Sequence, residues 1–414
     1  MNGYALVILL AFLGEYFLNL AADLLNLKVM RTALPEEFKG VYDQEAYRKS
    51  QAYNRVTTQW GLLKSTVALI IVLGFWFSRG FNLLDHLVRQ FGFGSIASGL
   101  LYIGSLTFSG ALLSLPLSIF ETFYIEEKFG FNRTRPLTFV FDLLKGWGLA
   151  LVLGTPLTAG ILYFFELAGP SAWWAGWVMV SLFLLLVQWV GPTWIMPLFN
   201  RFSPLENGNL KESIIAYGQK VNFPIENIYV MDGSKRSSKG NAFSTGFGRR
   251  KRIALFDTLI EKQTVPELVA VLAHEIGHFK KKHILIGTIL SVLNIGILFY
   301  ILSLFINSTG LSEAFYIEHP SLYTGLVFFS LLYAPMELML SLLFLVFSRR
   351  NEFEADRFAA ETLADPDSMT RALKKLALDN LANLTPHPLH VFLNDSHPPL
   401  LERIQNIRQT IKPA

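Results

Sequence analysis

Three residues with the chemistry of a metal site lie close together in the pattern His-Glu-x-x-His, at His274, Glu275 and His278. On an α-helix, side chains four residues apart lie on the same face, so both imidazoles can reach one metal ion. Zn²⁺ suits such ligands, and catalytic zinc sites keep one coordination position open for water. Glu275 lies beside the metal rather than on it, where its carboxylate can take a proton from metal-bound water. The pattern predicts hydrolytic zinc chemistry.

The five-residue pattern is short, and the alternative is a chance match on an ordinary amphipathic helix. Thr264 and Glu267 have the spacing of a capping box, which predicts that a helix begins just before the pattern. Residues 268–273 are apolar, so the polar triplet would lie on a partly buried helix, where unpaired polar groups are costly. A bound metal would account for them.

A third ligand is expected in residues 349–360, where Glu352 and Asp356 are four apart and share a helix face. Glu352 can bind the metal, while Asp356 orients a ligand imidazole through a hydrogen bond. Glu354 is expected to be a solvated charge, and His283 to belong to the polar end of the histidine helix.

The composition is that of a membrane protein. Of the 414 residues, 52% are hydrophobic and only 16% are charged, whereas soluble proteins average nearer 25% charged. The chain has no cysteine, which excludes disulfides, thiolate zinc sites and cysteine nucleophiles. Seven stretches are long enough to span a bilayer, and we predict spans at residues 4–26, 60–79, 98–121, 141–166, 172–198, 284–306 and 322–348.

The distribution of lysine and arginine predicts the orientation of these spans. Basic residues concentrate after the first, third, fifth and seventh spans, which places the N-terminus outside and the C-terminus in the cytosol. The basic clusters are therefore read as topology signals, and no nucleic-acid partner is expected. The histidine helix precedes span six and Glu352 follows span seven, so both parts of the site are expected on the cytosolic side.

Two further features concern the rest of the chain. Polar residues inside the spans indicate either a hydrated interior or hydrogen bonds between helices, with neither favoured. The segment 204–283 is predicted to be α+β, with strands at 227–232, 241–247 and 252–256, the last two forming a hairpin around the turn 248–251.

Taken together, His-Glu-Ile-Gly-His, Asn-Glu-Phe-Glu-Ala-Asp, Phe-Gly-Phe-Asn at 129–132 and the seven spans resemble the CaaX prenyl protease 1 family of integral-membrane gluzincin-type zinc endopeptidases. The resemblance implies that His274, His278 and Glu352 bind one Zn²⁺ and that Glu275 is the general base. It implies that Asn241 and Ala242 lie on an edge strand that pairs with substrate. His397 and Arg403 match the family's C-terminal His-Pro-x4-Arg element, where either could stabilise the oxyanion; the alternative is a capped, salt-bridged tail.

The fold class implied is mainly α, a polytopic membrane protein whose seven helices form a chamber capped by a cytosolic α+β metalloprotease domain. We divide the chain into spans one to five with their loops, a first catalytic part, spans six and seven, and a second catalytic part; these are residues 1–203, 204–283, 284–348 and 349–414.

The expected activity is metal-dependent hydrolysis at the cytosolic surface of the membrane, with peptides or proteins as substrates and membrane lipid as a further partner. Substrates would be prenylated C-terminal CaaX peptides, cut after the modified cysteine, or damaged membrane proteins. Short external loops and the absence of a terminal dilysine signal favour a bacterial plasma membrane over the endoplasmic reticulum. The alternatives are a polytopic transporter or receptor with a structural metal site, and a metal-binding chaperone without catalysis.

Overall fold

A computed structural model of the chain describes residues 1–30, 33–223, 225, 228–245 and 252–411. Within this part of the chain the structure is predominantly helical. The α-helices, in chain order, are α1 Gly3–Val29, α2 Gln44–Phe77, α3 Gly80–Arg89, α4 Ser95–Phe120, α5 Pro136–Leu149, α6 Thr155–Ala168, α7 Trp173–Val190, α8 Met196–Phe199, α9 Asn209–Lys220, α10 Asp257–Lys262, α11 Val265–Lys280, α12 His283–Phe305, α13 Thr309–Ala314, α14 Leu322–Thr362, α15 Asp367–Asp379, α16 Pro388–Asn394 and α17 Leu400–Ile411.

Several of these helices are joined by short segments of tighter or wider helix. The 3₁₀ segments are Glu36–Phe38, Gly169–Ala172 and Gly233–Lys235, and the π-helical segments are Glu121–Glu126, Ala150–Gly154 and Gly191–Ile195. A proline lies in or just after two of the π-helical segments, at Pro156 and Pro192, and proline removes a helical hydrogen bond there.

Six continuous helical segments among the described residues are long and apolar enough to cross a membrane, namely Gly3–Val29, Gln44–Phe77, Ser95–Glu126, Pro136–Phe199, His283–Phe305 and Leu322–Thr362. The membrane class is thereby confirmed. The fourth of them is interrupted at Gly169–Ala172, where Gly169 has a φ of 56°, and α6 and α7 on its two sides pack against each other. The predicted hairpin lies at this position, while the total of seven spans stays a prediction.

Two helices deliver the predicted metal ligands. Helix α11 carries the His-Glu-x-x-His pattern and ends just before α12, a membrane span. Helix α14 runs for 41 residues, from the far end of the last span through both Glu352 and Asp356. The two helices pack extensively against each other, and Gly277 faces Ala355 so closely that an added Cβ would lie 3.0 Å from the Ala355 Cα. Glycine at this position lets the helices approach.

The described strands form one four-stranded sheet in the order β1-β2-β4-β3, made of β1 Phe202–Pro204, β2 Ile228–Met231, β3 Ala242–Thr245 and β4 Arg252–Phe256. β2 and β4 are parallel, and the other two pairs are antiparallel. The predicted pairing of the second predicted strand with the third is present as the pair β3 and β4, with Ala242 opposite Leu255. Asn227, Gly246, Phe247, the predicted turn at 248–251 and the basic residue Arg31 lie outside the described residues.

The catalytic part has its own apolar core, and α11 runs through it. The core joins α11 to the sheet, to α9 and to the end of α14; its most buried side chains include Leu268, Leu272, Ile276, Leu255 and Ile214. Polar contacts fasten this part to the membrane helices, because Arg236 forms two hydrogen bonds with Asp142 of α5, at 2.7 and 2.8 Å. The sheet and α11 are thus held in place against the spans.

Candidate metal centre

The start of α11 fixes where the histidines lie. Thr264 and Glu267 form the predicted capping box, and the Thr264 backbone N–H donates to Glu267 at 2.8 Å. Lys375 pairs with the same carboxylate at 2.7 Å. Burial opposes a charge on Glu267, but these hydrogen bonds outweigh it and lower the pKa of Glu267. With its first turn anchored, α11 presents His274 and His278 on one face towards α14.

The structure brings the three predicted ligands together. The Nε2 atoms of His274 and His278 lie 3.1 Å apart. Glu352 completes the group, with Oε2 at 3.5 Å from His274 Nε2 and Oε1 at 3.3 Å from His278 Nε2. Ligand atoms bound to zinc at about 2.0–2.1 Å in tetrahedral geometry lie about 3.3–3.4 Å from one another. The three side chains have the separations of a zinc site.

Asp356 and Arg403 support this group from behind. Asp356 is fully buried, and its Oδ1 lies 2.8 Å from His274 Nδ1. Arg403 holds the same carboxylate with two hydrogen bonds of 2.7 and 2.8 Å and has its Nη1 3.3 Å from Glu352 Oε2. Burial opposes the charge on Arg403, but Asp356 outweighs it and raises the pKa of Arg403. Arg403 therefore faces two carboxylates of the site.

The hydrogen-bond pattern favours a cation at the centre. A carboxylate can only accept, so His274 Nδ1 carries the proton that Asp356 receives, and the Nε2 lone pair of His274 points at His278 and Glu352. Burial opposes a positive charge on His274, yet the neighbouring carboxylates of Asp356 and Glu352 outweigh it and raise the pKa of His274 to about 9, so positive charge is favoured at this point. The buried Oε2 atom of Glu352 accepts no hydrogen bond from the described residues, although Arg403 Nη1 lies 3.3 Å away as an ion-pair partner. Converging acceptors of this kind fit Zn²⁺.

Glu275 lies on the same helix between the two histidines and is only half-buried. Among the described residues its carboxylate has no hydrogen-bond partner. A carboxylate that is not already engaged can accept a proton from a water molecule bound nearby. The position fits the predicted role, which stays a prediction.

Two residues beside the ligands, His283 and Glu354, make contacts that the sequence does not predict. His283 is buried, and its Nδ1 lies 3.0 Å from His278 Nδ1. Its Nε2 lies 3.3 Å from Glu354 Oε2, and Glu354 also accepts from Arg350 at 3.1 Å. His283 is not a polar helix end, and Glu354 is not simply a solvated charge. Their contacts depend on the turn between α11 and α12, which the spacing of the residues does not reveal.

His397 and the predicted substrate strand lie at the open side of the site. His397 is 64% exposed at its side chain, with Nε2 3.5 Å from Glu352 Oε1. Asn241 directly precedes β3 and Ala242 begins it; this strand forms the edge of the sheet and contacts α11. Asn380 fastens the preceding residue by bonding both the N–H and the C=O of Gly240 at 3.0 Å. The edge strand is held in place while its outer backbone edge faces away from β4.

A cavity of about 860 Å³ opens beside the centre. His397 and Arg403 line it together with polar groups of the first two spans, among them Asp23, Asn26 and Asn54. Asp23 of α1 lies 2.9 Å from His390 Nδ1, and this hydrogen bond raises the pKa of His390. Other polar span residues bond between helices, as Gln188 does at 3.2 Å from Thr288. Polar residues of the spans therefore line a cavity in one place and form hydrogen bonds between helices in another, so both explanations given from the sequence have examples.

Comparison with known proteins places these features in a family. Residues 23–201 match the family described as CAAX prenyl protease N-terminal, five membrane helices, and residues 204–411 match peptidase family M48. The chain is 33% identical over 422 residues to a CAAX prenyl protease 1 homolog of Dictyostelium discoideum, covering 99% of this chain and 98% of the relative. It is 33% identical over 405 residues to CAAX prenyl protease 1 of Saccharomyces cerevisiae, covering 91% and 89%.

A solved structure is similar along nearly the entire chain. The crystal structure of S. mikatae Ste24p matches with a TM-score of 0.92 at 30% identity, covering 98% of this chain and 99% of that one. The expectations of a helical membrane protein, a zinc cofactor and a metalloendopeptidase are confirmed, and the transporter alternative is not favoured. The chain belongs to peptidase family M48 and, within it, to the CAAX prenyl protease 1 family of integral-membrane zinc metalloendopeptidases.

Proposed function

We propose that this membrane zinc metalloendopeptidase removes the C-terminal residues of prenylated CaaX peptides, by cleavage after the modified cysteine. The relatives that carry the name CAAX prenyl protease 1 support this substrate. The observation that carries the reaction type is the convergence of His274, His278 and Glu352 beside a cavity that membrane helices help to line. Turnover of damaged membrane proteins is the second candidate, since a cavity of about 860 Å³ lined by both polar and apolar side chains can accept other peptides.

The residues that would hold the zinc are His274, His278 and Glu352. A zinc ion bound there supplies a Lewis acid that polarises the scissile carbonyl and increases the acidity of a bound water. Asp356 keeps the proton of His274 on Nδ1, which leaves Nε2 as the metal-binding atom. Arg403 acts on the ligands rather than on the substrate, because its guanidinium is occupied by Asp356 and Glu352.

Proton transfer is assigned to Glu275. Its carboxylate accepts a proton from the attacking water and later delivers it to the amine of the leaving peptide. His397 is the better candidate for stabilising the oxyanion, since its ring is exposed on the cavity and its Nε2 is only 3.5 Å from a zinc ligand. A fixed donor at this point would act where negative charge develops.

Substrate would bind in an extended form along β3. An open strand edge offers backbone N–H and C=O groups, to which a peptide can add as a further strand. Ala242 already pairs with Leu255 on its inner side, and Asn241 is exposed at the start of the strand. Because Asn380 holds Gly240 on both backbone groups, the register of the added peptide relative to α11 would be fixed.

The orientation follows from the basic residues. We place the N-terminus outside and the catalytic parts in the cytosol, as the lysine and arginine distribution favours. We propose four domains, with boundaries after residues 203, 283 and 348. The bacterial plasma membrane remains the favoured location and the endoplasmic reticulum the alternative; localisation of a tagged chain decides between them.

The decisive test of the chemistry is Glu275→Gln, with Glu261→Gln on the exposed surface of α10 as the matched control. The variant should keep one zinc per chain and lose about 10²–10⁴-fold in kcat/KM, measured on a farnesylated CaaX peptide by mass spectrometry of the released tripeptide. Near-normal turnover by Glu275→Gln would refute the assignment. Equal cleavage of the farnesylated and the unmodified peptide would refute the substrate class while leaving the protease intact.

A further inference from the structure

The surroundings of His278 differ from those of His274. His274 Nδ1 is bonded directly to a carboxylate, Asp356. His278 Nδ1 instead faces another imidazole, since His283 Nδ1 lies 3.0 Å away. Behind it, His283 Nε2 lies 3.3 Å from the carboxylate of Glu354. His283 itself is only 6% exposed, so its two ring nitrogens depend on these protein partners.

The three linked side chains His278, His283 and Glu354 allow one consistent arrangement of hydrogen-bond donors and acceptors. A carboxylate accepts only, so His283 Nε2 carries the hydrogen that Glu354 receives. A neutral imidazole has one N–H, which leaves His283 Nδ1 as an acceptor and makes His278 Nδ1 the donor. The lone pair of His278 is then on Nε2, which faces His274 Nε2 and Glu352. His283 therefore selects the form of His278 that can bind a metal.

The backbone is built to bring His283 back to His278. On a continuous helix, residues five apart point about 140° away from each other. Here the helix breaks at Lys282, which has a φ of 61°, and His283 begins α12 instead of extending α11. Left-handed backbone is unfavourable for a residue with a side chain. Its presence between two helices shows that the geometry of this junction is specifically maintained by its surroundings.

We propose that His283 is a positioning residue for the zinc site, which holds His278 in its metal-binding form and relays the hydrogen bond to Glu354. The proposal rests on the proposed role of His278 as a ligand. Indirect partners of this kind typically change metal affinity by about 10- to 100-fold when removed. Each histidine ligand then has a hydrogen-bond acceptor at its Nδ1 atom. For His274 the acceptor is the Asp356 carboxylate; for His278 it is the His283 imidazole, which in turn donates to the Glu354 carboxylate.

The test is a measurement of zinc affinity on the full-length protein, by competition with a graded series of chelator concentrations. His283→Phe keeps an aromatic ring without nitrogens and should weaken zinc binding by about 10- to 100-fold. His283→Gln, which can accept from His278 and donate to Glu354, should recover part of the loss. His319→Phe, at an exposed histidine far from the site, is the matched control and should bind zinc as the parent does. The cobalt-substituted protein adds a readout, because a reoriented His278 changes the visible spectrum.

The outcomes separate this proposal from the one it rests on. If His278→Ala keeps stoichiometric zinc with the parental affinity, the ligand assignment fails. If His278→Ala loses zinc while His283→Phe keeps parental affinity and an unchanged cobalt spectrum, the role of His283 alone is overturned. Should His283→Phe fail to fold, His283→Gln and Glu354→Leu decide. Parental affinity and spectrum in both of these also overturn the proposal, and weakened binding in Glu354→Leu supports it.

Discussion

Two charged clusters at opposite ends of α14 are built from similar groups and differ in how fully their polar atoms are hydrogen-bonded. The metal cluster contains His274, His278, Glu352, Asp356 and Arg403. The distal cluster, near the start of α14, contains Asn82, Asp85, Arg89, Glu318 and Tyr323. Each has an aspartate that is at most 1% exposed and is held by an arginine, Asp356 by Arg403 and Asp85 by Arg89.

The distal cluster satisfies its own polar atoms. Asp85 accepts from the Tyr323 hydroxyl at 2.6 Å and from Arg89 at 2.8 Å, and Arg89 also donates to the backbone of His319 at 2.7 Å. In the metal cluster, by contrast, two imidazole lone pairs and a carboxylate point at one another, and one oxygen of Glu352 accepts no hydrogen bond from the described residues. A closed network of hydrogen bonds stabilises a fold, whereas acceptors that converge on one point form a site that fits a cation.

The largest predicted difference between the clusters concerns Glu352→Ala and its distal match, Glu318→Ala. Removing Glu352 takes away a proposed ligand, so we expect loss of bound zinc and a fall of about 10³-fold or more in kcat/KM, since metal ions supply several kcal/mol to such reactions. Glu318→Ala should keep zinc and activity. Metal analysis and a peptide-cleavage assay check both variants, and full zinc occupancy in Glu352→Ala would remove the basis of the comparison.

A smaller difference is expected between Asp356→Asn and Asp85→Asn. The first weakens the hydrogen bond that holds His274, and zinc affinity should fall by about 10- to 100-fold. The second leaves zinc affinity at the parental value but lowers the free energy of unfolding by about 1–3 kcal/mol, since buried donors lose their charged partner. Chelator competition and thermal unfolding measure the two effects separately. If both variants changed only stability, Asp356 would be a structural residue like Asp85.

The smallest effect concerns pH and the pair His390 and Asp23, which joins α16 to α1 at the cavity beside the metal cluster. The hydrogen bond to Asp23 raises the pKa of His390, so the folded state holds the proton more tightly than the unfolded one. The contribution to stability is fully present below the unfolded pKa and is lost as the pH rises through the folded pKa. His390→Phe should lower stability by about 0.5–1 kcal/mol at pH 6 and by nothing measurable at pH 9. Thermal unfolding at the two pH values tests this; a deficit of equal size at both would mean that packing, not charge, explains the effect.

The parts of the site that follow helix periodicity could be predicted from the sequence. His274 and His278 are four apart, as are Glu352 and Asp356, and in both cases the pair lies on one helix face, as the periodicity of an α-helix requires. The capping box at Thr264 was equally readable, because its residues are local. The pairing of β3 with β4 follows from two short strand patterns on either side of a turn.

The structural features that could not be predicted from the sequence depend on reversals of the chain direction and on long-range contacts. The left-handed Lys282 has no signal in its residue type, so the sequence places His283 at the polar end of the histidine helix, whereas that helix ends at Lys280 and His283 begins the next one. β1 is three residues long and ends in proline, which gives no alternation to recognise. The contact of His390 with Asp23 joins residues 367 positions apart, and no local pattern announces such a pair.

Helix α14 connects the two clusters, so a small change in its tilt at one end displaces the residues at the other end. Its 41 residues, with Pro335 among them, form one continuous helix about 60 Å long at a rise of 1.5 Å per residue. Tyr323 is held at one end and Glu352 lies about 45 Å along the helix, so a tilt of only 2° about the held end carries Glu352 sideways by about 1.5 Å. Displacements of about 1 Å are enough to cost an enzyme two orders of magnitude in rate. A long membrane helix accommodates a change in bilayer thickness partly by tilting, so we expect the catalytic geometry to respond to the thickness of the surrounding bilayer.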